Sequence, residues 1–203
     1  APINWAIING EKETGVTTFK LQHTIDTGNI LLQQNFDIGD EETAGEVHDR
    51  MKIIGADLLL KTLQELTNGN IKEQDQVEIL NGEGIMLNSK GVTAVISFLK
   101  HAPKIFTETC TINWHKSVEE VYNLIRGLSP YPTAFTFLED KKLKVYKVDK
   151  VEKAPAVLPG EIETDKKTFL QFACNNGYIS IKELQLEGKK KMGVADFLRG
   201  YKW

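Results

Sequence analysis

A carboxylate at a predicted chain reversal is the first candidate for chemistry. The segment His23–Gly28 (HTIDTG) lies between two predicted strands, and its Asp-Thr-Gly sequence is typical of a tight turn. A carboxylate at such a corner, flanked by Thr hydroxyls, can be partly desolvated and can act in proton transfer. The same residues also fit an Asx-turn, in which Asp26 accepts a hydrogen bond from the Gly28 amide. The spacing alone leaves both interpretations open.

A lysine cluster near the carboxyl end is the second candidate. Lys189, Lys190 and Lys191 are consecutive. Together with Lys104 and Arg126 they could form a patch that follows the phosphates of a nucleic acid. The alternative is a solvated loop in a lysine-rich protein.

The distribution of charge bears on whether the lysine cluster faces a nucleic acid. The 203-residue chain has a formal net charge of −3. Residues 1–103 carry 8 Lys and Arg against 15 Asp and Glu, whereas residues 104–203 carry 17 against 13. An acidic half joined to a basic half suggests that only the second half faces a polyanion. A small positive excess is also common in soluble domains, so the charges do not decide between a nucleic-acid site and a solvated loop.

Several kinds of site are not indicated. The four histidines show no paired ligand spacing, and Cys110 and Cys174 lie far apart, so no metal site is predicted. No phosphate-binding Gly-rich loop and no Gly-x-Ser-x-Gly motif is present. Two cysteines in a chain of this size suggest free thiols in a reducing compartment. No run is long and apolar enough for a membrane span and no signal peptide is visible, so we expect a cytoplasmic protein without a membrane partner.

Local patterns predict the elements that would position these residues. A helix is expected in residues 1–10, and a hairpin of two strands in residues 14–23 and 30–38, with the corner between them. Thr43 and Ser117 each begin a capping box and so a helix, the first reaching Leu66 and the second ending near Gly127. Further strands are expected in residues 133–138, 143–148, 160–164, 169–173 and 178–186, followed by a short helix in residues 194–199.

The longer of these helices carries an apolar stripe. The stripe comprises Val47, Met51, Ile54, Leu58, Leu59, Leu63 and Leu66. Because such a face must be removed from water, we expect it to lie on a sheet or on another helix.

Several strings resemble the folate-dependent formyltransferase family, and in particular the branch of it that acts on methionyl-tRNA. They are Glu13–Thr17 (ETGVT), Ile25–Leu31 (IDTGNIL), Ala102–Ile105 (APKI), Ile112–Trp114 (INW), Ile125–Pro132 (IRGLSPYP) and Gln185–Met192 (QLEGKKKM). Each string is modest alone, but their order along nearly the whole chain is specific.

The resemblance implies a fold and a division of the chain. The fold is a partial α/β doubly wound sheet of the formyltransferase type, followed by a small OB-like β-barrel. Residues 1–74 would be the second half of the catalytic domain, residues 75–101 a linker, and residues 102–203 a tRNA-binding domain. The family's first half, with its catalytic Asn and His, would precede Ala1. We therefore expect this chain to be a fragment that is inactive alone, from a protein that is monomeric at full length.

The resemblance also implies an activity. A formyl group would move from 10-formyltetrahydrofolate to the amino group of methionyl-tRNA, the initiator tRNA of translation. Asp26 would be the catalytic carboxylate, with Thr24 and Ile25 beside it in the folate site. Lys104, Arg126 and Lys189–Lys191 would contact tRNA, and no metal would take part. A sugar-nucleotide formyltransferase, a folate-binding formyl hydrolase or dehydrogenase module, and a stand-alone RNA-binding module remain alternatives.

Overall fold

The structure is a computed structural model that describes residues 1–23, 27–76 and 100–202. Its helices are α1 (Pro2–Ile8), α2 (Ala44–Thr67), α3 (Val118–Leu128) and α4 (Val194–Gly200), with one 3₁₀ turn at Glu108–Cys110. Its strands are β1 (Glu13–Phe19), β2 (Ile30–Asp37), β3 (Ala134–Leu138), β4 (Lys141–Val151), β5 (Ile162–Thr164), β6 (Leu170–Cys174), β7 (Gly177–Leu186) and β8 (Met192–Gly193). Most of the predicted linker, residues 77–99, lies outside the described residues. No helix in the described ranges is long and apolar enough to cross a membrane.

The chain forms two compact units. The first combines Ala1–Lys12 and Ile38–Val47 with Pro103–Trp203, and the second combines Glu13–Asp37 with His48–Ala102. This division by contacts differs from the domain boundaries expected from the sequence, because two short segments of the amino-terminal half pack with the carboxyl-terminal hundred residues. The sequence-based boundaries stay a prediction.

The first unit is built on a six-stranded antiparallel sheet. Its strand order is β3-β4-β7-β6-β5, and β8 pairs with the outer part of β7. The five predicted strands of this region are confirmed, and β8 was missed because two residues give no periodicity. Trp114 stacks on Phe172 with 4.5 Å between ring centroids, and its Nε1 donates to Thr136 Oγ1 at 3.0 Å. The indole thus fills the core without leaving its N–H unpaired.

Helix α3 covers this sheet. Val121, Ile125 and Leu128 are at most 1% exposed and recur at helical spacing, so they form one buried face. The predicted capping box is confirmed, since the Ser117 hydroxyl accepts from the Glu120 amide and the Glu120 side chain accepts from the Ser117 amide. Both cysteines are buried and free.

The second unit holds the predicted hairpin. β1 and β2 pair antiparallel from Glu13↔Asp37 to Phe19↔Ile30, with a register shift at the corner end. Helix α2 contacts β1, because Thr18 Oγ1 and Thr62 Oγ1 share a hydrogen bond of 2.9 Å. Among the described residues, the part of the chain predicted to be a partial doubly wound sheet contains this two-stranded sheet and α2.

The prediction for the apolar stripe of α2 was only partly correct. Val47 and Leu58 are buried, but Leu59, Leu63 and Leu66 are 53%, 53% and 46% exposed. The second group lies on a different face, since a step from 58 to 59 turns the helix by about 100°. The described residues leave this second face partly open to solvent.

Candidate functional site

The hairpin corner is closed tightly at its base. Thr24, Ile25 and Asp26, the predicted folate-site residues, lie outside the described residues, but their flanks are defined. The Lys20 amide donates to the Asn29 carbonyl at 2.9 Å. Gly28 is buried, and a Cβ on it would lie 1.5 Å from the Lys20 carbonyl oxygen. No side chain fits there, so glycine is required for the corner to close.

One carboxylate spans both sides of the corner. Glu73 accepts from Lys20 Nζ at 2.9 Å and from Asn29 Nδ2 at 3.0 Å. These hydrogen bonds, first the one from Lys20, hold the pKa of Glu73 below its usual range. Gln76 Nε2 also donates to the Gly28 carbonyl at 2.7 Å. The segment after α2 therefore fixes the flanks of the predicted catalytic carboxylate, and sequence reasoning missed it because nothing in the spacing links residues this far apart.

The predicted lysine cluster is the loop between β7 and β8. Gln185 Nε2 donates to the Lys189 carbonyl at 2.9 Å, which ties the loop to its own strand. Lys191 Nζ lies 2.6 Å from a carboxylate oxygen of Glu183 and 4.8 Å from the centroid of the Tyr146 ring. Within the described ranges, Lys189 and Lys190 make no ion pair. Two of the three ammonium groups are therefore available to an anion.

Lys104 and Arg126 have different surroundings. Lys104 is exposed, with Nζ 5.6 Å from the centroid of the Phe106 ring. Arg126 is 5% exposed, and its guanidinium donates to the carbonyls of Gly39 at 3.2 Å and Glu42 at 3.1 Å. Burial lowers the pKa of Arg126. This environment favours an internal structural role for Arg126, and the phosphate contact expected from the sequence stays a prediction.

Neither cysteine has the setting of a nucleophile. Burial raises the pKa of the Cys110 thiol and raises that of Cys174 to about 12. A thiol with a raised pKa stays protonated near neutral pH and reacts slowly. With the two cysteines set aside as nucleophiles, the hairpin corner and the lysine loop remain as the candidate sites.

Comparison with known proteins defines the class. Residues 1–63 match a family model described as formyl transferase, and residues 104–202 match one described as formyl transferase, C-terminal domain. The chain belongs to the formyl transferase family.

Individual relatives show which members of the formyl transferase family this chain resembles. The chain is 45% identical to a methionyl-tRNA formyltransferase from Phocaeicola vulgatus, over 100% of this chain and 60% of that protein. It is 43% identical to a methionyl-tRNA formyltransferase from Azobacteroides pseudotrichonymphae, over 98% of this chain and 60% of that protein. The chain thus spans about 60% of the length of the curated relatives it matches.

A solved structure supports the fold. HypX from Aquifex aeolicus, in complex with tetrahydrofolic acid, superposes with a TM-score of 0.65 over 97% of this chain and 32% of that one. The identity is 17%, so this likeness concerns the fold alone.

Proposed function

We propose that this chain takes part in the transfer of a formyl group from 10-formyltetrahydrofolate to the amino group of methionyl-tRNA. The observation that carries the proposal is the 45% identity with a methionyl-tRNA formyltransferase along the whole of this chain. A folate co-substrate is consistent with the tetrahydrofolic acid bound by HypX, which shares the fold. Translation initiation would place the protein in the cytoplasm, and we propose that it acts as a monomer at full length.

The chemistry assigns a task to the hairpin corner. The amine of the aminoacyl group attacks the formyl carbon, an oxyanion develops, and the bond from that carbon to the folate nitrogen then breaks. One proton must leave the amine and one must reach the folate nitrogen. We propose that Asp26 transfers these protons, aided by water, and that Thr24 and Ile25 contact the pterin through their backbone. What supports this role is the match of Asp26 to the family motif and the tight frame that Gly28 and Glu73 build around the corner.

The carboxyl-terminal part has the second task. We propose that residues 102–203 form an OB-like domain that binds the tRNA, with residues 75–101 as the linker from a catalytic part in residues 1–74. The antiparallel sheet and the exposed ammonium groups of Lys104, Lys189 and Lys190 support this assignment. Lysines of this kind bind phosphates without reading sequence.

The direct test is formyl transfer by the full-length product of the gene. We expect formylation of methionyl-tRNA from 10-formyltetrahydrofolate, and a fall of about 100-fold or more in Asp26→Asn, because an amide cannot carry the proton. Asp57→Asn, at an exposed position of α2, is the matched control and should retain the rate. Full turnover by Asp26→Asn would refute the assignment of the carboxylate. Formylation of an amino sugar in place of methionyl-tRNA would refute the assignment of the substrate.

A further inference from the structure

One aromatic side chain on the six-stranded sheet faces solvent. Along β3, Ala134, Thr136 and Leu138 are buried on one face, whereas Phe137 on the other face is 53% exposed. Its ring meets the buried ring of Phe135 edge to face, with 5.9 Å between centroids. This contact restrains the Phe137 ring while leaving much of its surface open. The open face of such a restrained ring is available for another flat group to stack on.

A cavity of about 320 Å³ opens beside this ring. Its lining residues are Phe137, Lys142, Lys144, Gln185, Leu186 and Glu187. The strand register brings them together, because Phe137 pairs with Lys142 across β3 and β4, and Lys144 pairs with Gln185 across β4 and β7. The volume is at the lower end of the range for small-molecule pockets, so it suits a single flat ring better than a folded peptide.

The charges at the cavity favour an anion. Lys142 Nζ lies 4.1 Å from the centroid of the Phe135 ring, which is within the range of a cation–π interaction. Lys144 has no ion pair in the part of the chain that the structure describes. The lining carboxylate is that of Glu187, which accepts from the Lys142 amide at 3.1 Å. The lining of the cavity therefore carries two ammonium groups and one carboxylate.

The lysine loop borders the same cavity. Gln185, which lines the cavity, donates to the Lys189 carbonyl at 2.9 Å. The Lys189 amide in turn donates to the carbonyl of Leu186, a second lining residue, at 2.9 Å. Lys189 and Lys190 thus lie on an exposed loop whose backbone is bonded to two lining residues of the cavity, whereas Lys191 forms an ion pair with Glu183.

We propose that this face of the sheet binds an unpaired nucleotide of the RNA substrate. The base stacks on Phe137, and the neighbouring phosphates contact Lys144, Lys189 and Lys190. Every base has a π-face, so an aromatic ring flanked by ammonium groups binds single-stranded segments with little sequence preference. The inference rests on the proposed function, because that function makes an RNA the substrate. A second copy of this chain fits less well, since it would bring the same excess of ammonium groups to the contact.

The test is RNA binding by this 203-residue chain, measured by fluorescence anisotropy. The probes are a labelled tRNA, a single-stranded RNA and a blunt RNA duplex. We expect Phe137→Ala to weaken binding of the single strand by about 5- to 100-fold, to weaken duplex binding little, and to leave the dependence on salt unchanged. Phe137→Tyr should retain affinity. Lys144→Gln should instead reduce the slope of log affinity against log salt by about one.

Tyr131→Ala is the matched control, because Tyr131 is an aromatic residue that is 83% exposed and lies outside the cavity. It should bind the single strand as the parent chain does. Equal losses in Tyr131→Ala and Phe137→Ala, or unchanged affinity in Phe137→Ala, would refute the stacking site while leaving tRNA binding intact. A shift in sedimentation on Phe137→Ala with no change in RNA affinity would assign the face to self-association. Failure of the parent chain to bind any RNA would instead count against the proposed tRNA-binding role, together with the site that depends on it.

Discussion

Replacement of Arg126 by alanine tests the view that this residue stabilises the fold. Its guanidinium donates to Asn123 Oδ1 at 2.8 Å and to the carbonyls of Gly39 and Glu42. A hydrogen bond to a charged group contributes about 1.5–3 kcal/mol. Because Gly39 is exposed and Glu42 half-buried, water can replace part of what is lost, and the low end applies to each carbonyl. The two carbonyl bonds alone therefore make us expect a cost of about 3 kcal/mol for Arg126→Ala, and loss of the bond to Asn123 can only add to it.

The expected change is large enough to measure by thermal unfolding. For a chain of this size, each kcal/mol corresponds to about 2–4 °C, so Arg126→Ala should lower Tm by about 6–12 °C. Arg199→Ala is the matched control. The side chain of Arg199 is 77% exposed and forms an ion pair with Asp196, three residues before it, so its loss should change the free energy of unfolding by less than about 0.5 kcal/mol.

RNA binding provides the second measurement. If Arg126 stabilises the turn at Gly39–Glu42, the variant should bind tRNA as the parent chain does at temperatures where both are folded. A Tm change as small as that of Arg199→Ala, combined with weaker tRNA binding and a reduced salt slope, would refute this reasoning and support the phosphate contact predicted for Arg126.

Three further changes test other parts of the structure. Gly127→Ala should destabilise by about 1–3 kcal/mol in urea unfolding, because its Cβ would lie 2.6 Å from a side-chain carbon of α1 and 3.1 Å from two backbone atoms of that helix. Gly200→Ala, which meets nothing within 4 Å, should be nearly neutral. Ser117→Ala should cost about 0.5–2 kcal/mol. Hydrogen bonds from Ser117 lower the pKa of Glu120 from 4.5 to about 2. The stability that these bonds give is therefore complete above pH 4.5 and is lost as the pH falls towards 2. In the variant, the free energy of unfolding should fall less steeply with decreasing pH over this range. Gly28→Ala should reduce formyl transfer by the full-length protein at least as far as Asp26→Asn, since the corner cannot close around a Cβ, and a rate equal to that of Gly200→Ala would contradict this.

Local signals predicted most of the elements. The capping boxes at Thr43 and Ser117 each depend on residues three apart, and both are present in the structure. The hairpin and the five short strands were also predicted, because alternation and turn residues act over a few positions. These features are set by neighbours in the sequence.

Features set by distant partners were not predicted. Arg126 was placed with the lysines because of its charge, but its carbonyl partners are 87 and 84 residues away. Glu73 carries no motif, and it gains significance only because it meets both Lys20 and Asn29. The exposed half of the α2 stripe was misjudged for the same reason, since periodicity groups residues by face but does not show which faces other elements will cover.

The packing of α1 against α3 limits how relatives can exchange parts. Asn4 Nδ2 donates to the Gly127 carbonyl at 2.8 Å, and the turn at Gly39–Glu42 depends on Arg126. A chimera joined near residue 103 would combine α1 and this turn from one parent with α3 from another. A chimera joined at that point should fold only when the residues at these contacts correspond in the two parents. The segments that carry α1, the Gly39–Glu42 turn and α3 are therefore expected to change together among relatives.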